Sequence, residues 1–136
     1  MQKITPFLWF DKEAGEAAKY YVSVFKNSKV TDTNPMSASF NLDGQDFIAL
    51  NGGPQYKFTE AISMFVSCED QKEIDYFWNK FIDDGGEESM CGWLKDKYGL
   101  SWQIVPKNLP ELISKPEALQ AMLKMHKLVI EDLKNA

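Results

Sequence analysis

ITPFLWFDKEAGEAAKYYVSVF, residues 4–25, begins with an apolar run that stops at Asp11. It then gives way to a segment in which Ala14, Ala17, Ala18, Tyr21, Val22 and Phe25 recur every three or four residues. A continuous apolar run followed by that spacing predicts a strand over 4–10 and a helix over 11–25. The same order returns in AISMFVSCEDQKEIDYFWNKF, residues 61–81, where Ile74, Phe77, Trp78 and Phe81 keep the helical rhythm. Ser67 with Asp70 gives that second helix, predicted over 68–81, a capping-box start.

The segments after the two helices also repeat. The first helix leads to SKV (28–30), MSASFNL (36–42) and QDFIALN (45–51), the last two flanking Asp43–Gly44, a hairpin signal. The second leads to GGEES (85–89), MCGWLK (90–95) and LSWQIV (100–105), with the turn at Gly99. Each half reads strand, helix and three strands, so the fold class is α+β, built as a tandem βαβββ duplication. The expected organisation is one domain over 1–136, with modules over about 1–53 and 60–107 and a C-terminal helical segment over 108–136. In that segment Ser114 and Glu117 suggest a cap, and Leu119, Met122, Leu123, Met125, Val129, Ile130 and Leu133 form an apolar stripe suited to packing or a dimer contact.

Composition excludes several classes. Fifteen basic against twenty acidic residues give a net charge of −5, and no Lys/Arg run interleaves with aromatics, which argues against nucleic acid. With 44% hydrophobic and 26% charged residues the chain is globular rather than disordered, and at this length roughly 68% of its unfolded surface can be buried. The N-terminal apolar run is too short for a signal core or a membrane span, so a cytoplasmic protein is expected. Free thiols at Cys68 and Cys91 fit that compartment.

Familiar catalytic patterns are absent. No base is placed beside Cys91, and His126, the single histidine, sits among lysines in the terminal segment. The acids Glu13, Glu16, Asp83, Asp84, Glu87 and Glu88 lie at helix starts or in a polar loop. The glycine pairs 52–53 and 85–86 match no phosphate-binding loop. One residue stands out: in LSWQIV, strand alternation sends Leu100, Trp102 and Ile104 one way and Ser101, Gln103 and Val105 the other. Gln103 is then either an amide facing a ligand or one satisfied by neighbouring groups.

Taken together, FLWFDKEAGEAAKYYVSVF, LDGQDFIALNGGP, FTEAIS and CGWLKDKYGLSWQIVP resemble the PhnB-like proteins of the vicinal oxygen chelate (glyoxalase/bleomycin-resistance/dioxygenase) superfamily, often labelled 3-demethylubiquinone-9 3-methyltransferase. The chain is shorter than such proteins around 29–35 and 114–120. The resemblance implies βαβββ modules curling into a cupped mixed sheet, a ligand site on the concave face, and a homodimer. It also implies that the superfamily's metal-ligand positions correspond here to Thr5, Ala49, Ser63 and Gln103, of which only Gln103 is a ligand of the usual kind, so no metal is expected.

The expected ligand pocket combines Thr5, Phe7, Trp9, Asn51, Ser63, Phe65, Trp93 and Gln103, an aromatic wall with a few hydroxyl and amide groups. Taken singly, Phe7, Trp9 and Phe65 fit a plain core equally well. The resulting expectation is a small-molecule binder without metal or cofactor. The alternatives are an enzyme, either a metal-dependent lyase or dioxygenase or the methyltransferase of the family label, and a structural or regulatory dimer whose cup is filled by its own side chains.

Overall fold

Pro6 has no N–H to give to a ladder, and the first strand, β1 (Phe7–Phe10), starts just after it rather than at Ile4. The computed structural model describes residues 2–136, which divide into two compact units, one running to Phe58 and the other Thr59–Ala136.

In the first unit β1 leads to α1 (Ala14–Val24), then β2 (Lys29–Thr33), β3 (Ser37–Leu42) and β4 (Gln45–Asn51). The sheet order is β1-β4-β3-β2, with β1 parallel to β4 and the other pairs antiparallel. Asp43 and Gly44 both take positive φ between the paired residues Leu42 and Gln45, the mirrored two-residue turn that matches strand twist. α1 forms where alanines let a helix approach the sheet closely: Ala14, Ala17, Ala18, Tyr21 and Val24 are buried against Leu8, Phe10, Ala38, Phe40 and Ala49. Tyr21 stacks on Phe40, and Phe40 on Phe47. The helix is shorter than the expected 11–25 because Asp11–Glu13 make the turn out of β1.

The second unit repeats the plan with β5 (Ser63–Cys68), α2 (Gln71–Asp83), β6 (Glu87–Glu88), β7 (Trp93–Lys95) and β8 (Ser101–Pro106), in the order β5-β8-β7-β6. β5 runs parallel to β8. The α2 cap is Asp70, not Ser67: its side chain accepts from the Glu73 N–H at 2.9 Å, while Glu73 accepts from the Glu69 N–H. Ile74, Phe77, Trp78 and Phe81 face the sheet, Phe81 stacking on Trp102. MCGWLK is only half a strand, since Cys91 and Gly92 take positive φ and donate their N–H groups to Met125 and His126 carbonyls.

The expected C-terminal helical segment is three short helices, α3 (Leu109–Leu112), α4 (Pro116–Leu123) and α5 (Ile130–Lys134). The helix breaks between α4 and α5 because the carbonyls there are spent on the loop at 91–92, and the buried Leu128 packs close to Gly92. The Ser114–Glu117 cap does not form: Lys115 is the N-cap, and the Ser114 hydroxyl donates backwards to the Glu111 carbonyl. No described helix is long and apolar enough to cross a membrane.

Candidate ligand-binding face

Each sheet has one face under its helix and one turned away from it, and strand register decides which side chains occupy the second. In the first unit Phe7 lies opposite Ile48, which lies opposite Ser39, while Trp9 and Ser37 flank Leu50. These side chains alternate with the buried Leu8, Ala38 and Ala49, so they face away from α1. Phe7 is 57% exposed. Trp9 is held in place: its Nε1 donates to the Gly53 carbonyl at 2.9 Å, and its ring meets Tyr56 edge-on at 4.9 Å.

Register also corrects the expected lining. Ala49 is fully buried on the helix side, one residue out of step with Phe7, and Asn51 shares that side. The Asn51 Oδ1 accepts from the Ala14 N–H at 2.8 Å, satisfying a donor that α1 leaves unpaired at its first turn. Its Nδ2 donates to the Pro35 carbonyl. Asn51 is thus a structural amide tying β4 to α1. Thr5 precedes β1 and accepts from the Gln2 amide at 3.4 Å. Ile48, Leu50, Ser37 and Ser39 are residues sequence reasoning missed on this face, the first two identified by the pairing of β1 with β4 and the serines by that of β3 with β4.

In the second unit the corresponding cross-strand row is Phe65, Gln103 and Trp93, with Gln103 in the middle. The next row is Ser63, Ser101 and Lys95. Ser63, Phe65, Trp93 and Gln103, four of the expected residues, therefore share one face. Phe65 is 59% exposed, and the other three are half-buried. Gln103 Nε2 donates to Ser63 Oγ at 3.0 Å. That bond leaves the Gln103 carbonyl oxygen and the Ser63 hydroxyl hydrogen without a partner among the described residues, an acceptor beside a donor. Ser101 is buried, and its hydroxyl also has no partner there. Lys95, the cation on this face, is paired with Glu60 at 3.4 Å.

The cysteines offer no reactive centre on this face. Cys68 is fully buried at the end of β5, its thiol pushed up to about 12 by burial and then by the charges of Glu73 and Asp70. His126 Nδ1 lies 2.9 Å from the Ser89 carbonyl, a role in seating the terminal segment.

Two units, each a four-stranded mixed sheet with a helix on one face and the strand order of a βαβββ module, define the vicinal oxygen chelate fold. The chain belongs to the 3-demethylubiquinone-9 3-methyltransferase family, whose model matches residues 2–105, and so to the PhnB-like proteins of that superfamily. It is 34% identical to a PhnB protein of Bacillus cereus that carries the same methyltransferase description, over 77% of this chain and 98% of that one, with a TM-score of 0.69. At 13% identity the fold extends to the fosfomycin resistance protein FosX of Listeria monocytogenes, over 82% of this chain and 95% of that one, with a TM-score of 0.62. A glyoxalase-related enzyme of Fulvimarina pelagi matches over 74% and 86% of the two chains at 11% identity, with a TM-score of 0.53. No curated protein matches the chain.

The FosX structure is a complex with Mn(II) and sulfate. The residues of this chain do not fit such an ion. Among the described residues the helix-free face of the first sheet adds to its Phe, Trp, Ile, Leu and Ser only the carboxylates Asp32 and Asp46, the latter accepting from the Asn41 amide at 2.8 Å. That of the second adds to its amide and hydroxyls only the carboxylate of Glu87, in register with Lys95, where a divalent cation needs several strong anionic or imidazole donors gathered together. Among the described residues no group of three or more His, Cys, Asp or Glu could hold a metal.

Proposed function

We propose that this family member binds an uncharged aromatic small molecule bearing a hydroxyl group, without a metal, against the face of β5, β8 and β7. The observation that carries the reading is the row Phe65–Gln103–Trp93 with Ser63 bonded to its central amide. A phenolic O–H can donate to the Gln103 carbonyl oxygen and accept from the Ser63 hydroxyl, while its ring lies between Phe65 and Trp93. An anion is disfavoured because Lys95 is already engaged by Glu60.

The methyltransferase of the family description gains no support from the strand-to-helix turns. A methyl donor such as S-adenosylmethionine usually rests on a glycine-rich turn of a parallel sheet. Here the two turns are Asp11–Lys12–Glu13 and Glu69–Asp70. A metal-dependent lyase or dioxygenase would need a gathered set of metal donors, and no group of three or more His, Cys, Asp or Glu is gathered among the described residues.

In this reading the protein is a cytoplasmic homodimer, with Leu119 and Leu123 on α4 among the exposed apolar groups that a partner copy would cover. Light scattering checks the assembly: a 15.6 kDa particle at tens of micromolar would reject it.

Binding is tested by thermal shift and calorimetry with phenol and hydroquinone, using toluene and benzoate as controls. The expected result is stabilisation by the two hydroxylated neutral rings alone, since a ligand that binds only the folded state raises its stability. Equal response to toluene, or response to none of the four, overturns it.

A further inference from the structure

Asn51 and Gly52 are each fixed by a separate demand of the fold. Asn51 closes the first turn of α1 through Ala14 and reaches Pro35 with its amide nitrogen. A Cβ on Gly52 would fall inside the Trp9 indole, so nothing larger than glycine fits beneath that ring. Their combination is an Asn–Gly pair, the dipeptide whose chemistry most readily converts asparagine. In that reaction the Gly52 backbone nitrogen, having lost its proton, attacks the Asn51 Cγ, and ammonia leaves as a five-membered succinimide closes. Water then opens the ring to aspartate or isoaspartate.

The folded unit withholds each component of this step. The Gly52 N–H donates to the Phe10 carbonyl at 2.8 Å, and the Asn51 N–H donates to Met36 at 2.8 Å, so the backbone is held in the extended ladder. The attacked amide is anchored at its oxygen by Ala14 and at its nitrogen by Pro35. We propose that Asn51–Gly52 is a conditional deamidation site, closed while β4 stays paired with β1 and α1 and released when they part. Isoaspartate adds a backbone atom at the point where Gly52 must meet both Phe10 and Trp9, so the modification would act as an exit from the fold.

Asn27 supplies an internal reference. It is exposed, precedes Ser28, and its side chain has no hydrogen bond to the described residues. The full chain is held in mildly alkaline buffer, folded in one sample and unfolded in guanidinium chloride in the other, and deamidation at both asparagines is measured by peptide mapping and mass spectrometry. The expected result is an inversion: Asn27 converts faster than Asn51 in the folded protein, and Asn51 faster than Asn27 in the unfolded one. Folding should slow Asn51 by at least about tenfold, equivalent to an opening free energy of about 1.4 kcal/mol. Conversion of Asn51 at the same rate in both samples, or slower conversion than Asn27 in the unfolded chain, overturns the proposal.

Discussion

Trp102 Nε1 donates to Asp96 Oδ2 at 2.8 Å, and the other oxygen of that carboxylate accepts from the N–H groups of Tyr98 and Leu100. Asp96 is only 3% exposed. One buried carboxylate thus shapes the β7–β8 turn and fixes Trp102 on the helix side, which by alternation sends Gln103 to the opposite face. Asp96→Ala leaves the two buried donors, the Trp102 Nε1 and the Leu100 N–H, unpaired at about 1–3 kcal/mol each, so a total loss of about 2–6 kcal/mol is expected. Asp96→Asn, which retains one acceptor oxygen, should lose less. Denaturant melts of the three proteins check the order.

The sequence makes the module plan legible because local chemistry dictates it. Asp43–Gly44 forms its turn, the alanine spacing of α1 buries the predicted face, and the Phe65, Gln103 and Trp93 positions share a side. Alternation fixes which residues of one strand face together, but not which face that is. The pairing of Phe7 with Ile48 fixes it, and for that reason Ala49 and Asn51 fall on the helix side. The break after α4 is hidden for a related reason. Its apolar stripe is helical in rhythm, yet the Met125 and His126 carbonyls are taken by Cys91 and Gly92, distant in sequence. Asp96 reads as a turn residue in the sequence, and only the fold brings Trp102 onto it.

Burial of Cys68 predicts an alkaline limit to stability. Its folded value is raised to about 12 from an ordinary 9.0, so the thiol keeps its proton in the folded state at a pH where the unfolded chain has lost it. The associated stability is fully present below pH 9.0 and is lost as pH rises toward 12. Lysines and tyrosines titrate in the same range, so the measurement is the difference between the parent and Cys68→Ala. The parent should lose more stability per pH unit, by at most about 1.4 kcal/mol. Parallel pH profiles would contradict the assignment. Alkylation of the folded protein should label the half-buried Cys91 first.

Gln71 holds the terminal segment against α2. Its amide nitrogen donates to the Leu128 carbonyl and to Asp75, and its oxygen accepts from the Ile130 N–H at 2.8 Å. Gln71→Ala removes both backbone contacts and should cost about 1–3 kcal/mol. Hydrogen exchange should quicken at Ile130 while the amides of β8 stay protected. Asp75 is held below its ordinary 3.8 by the Gln71 hydrogen bond and then by Lys127. Its contribution to this docking is present above that value and fades as pH falls below it. Uniform exchange across the second unit in Gln71→Ala would show that the segment and the sheet open together.

Gln103→Leu separates a binding amide from a structural one. Gln103 makes one hydrogen bond among the described residues, to the Ser63 hydroxyl, and none to the backbone. A half-buried side-chain pair of that kind is worth about 0.5–1.5 kcal/mol, and leucine of similar volume recovers part of it by burying apolar surface beside Phe65 and Trp93. The variant should therefore melt within a few degrees of the parent. Binding of phenol or hydroquinone should fall by about 1–3 kcal/mol, because the ligand hydroxyl loses its acceptor. Ser63→Ala should weaken the same ligands by removing the donor, and a double-mutant cycle should show the two losses to be less than additive, since both residues serve one hydroxyl. A large drop in melting temperature for Gln103→Leu with unchanged phenol affinity would make the amide structural and move the binding face elsewhere.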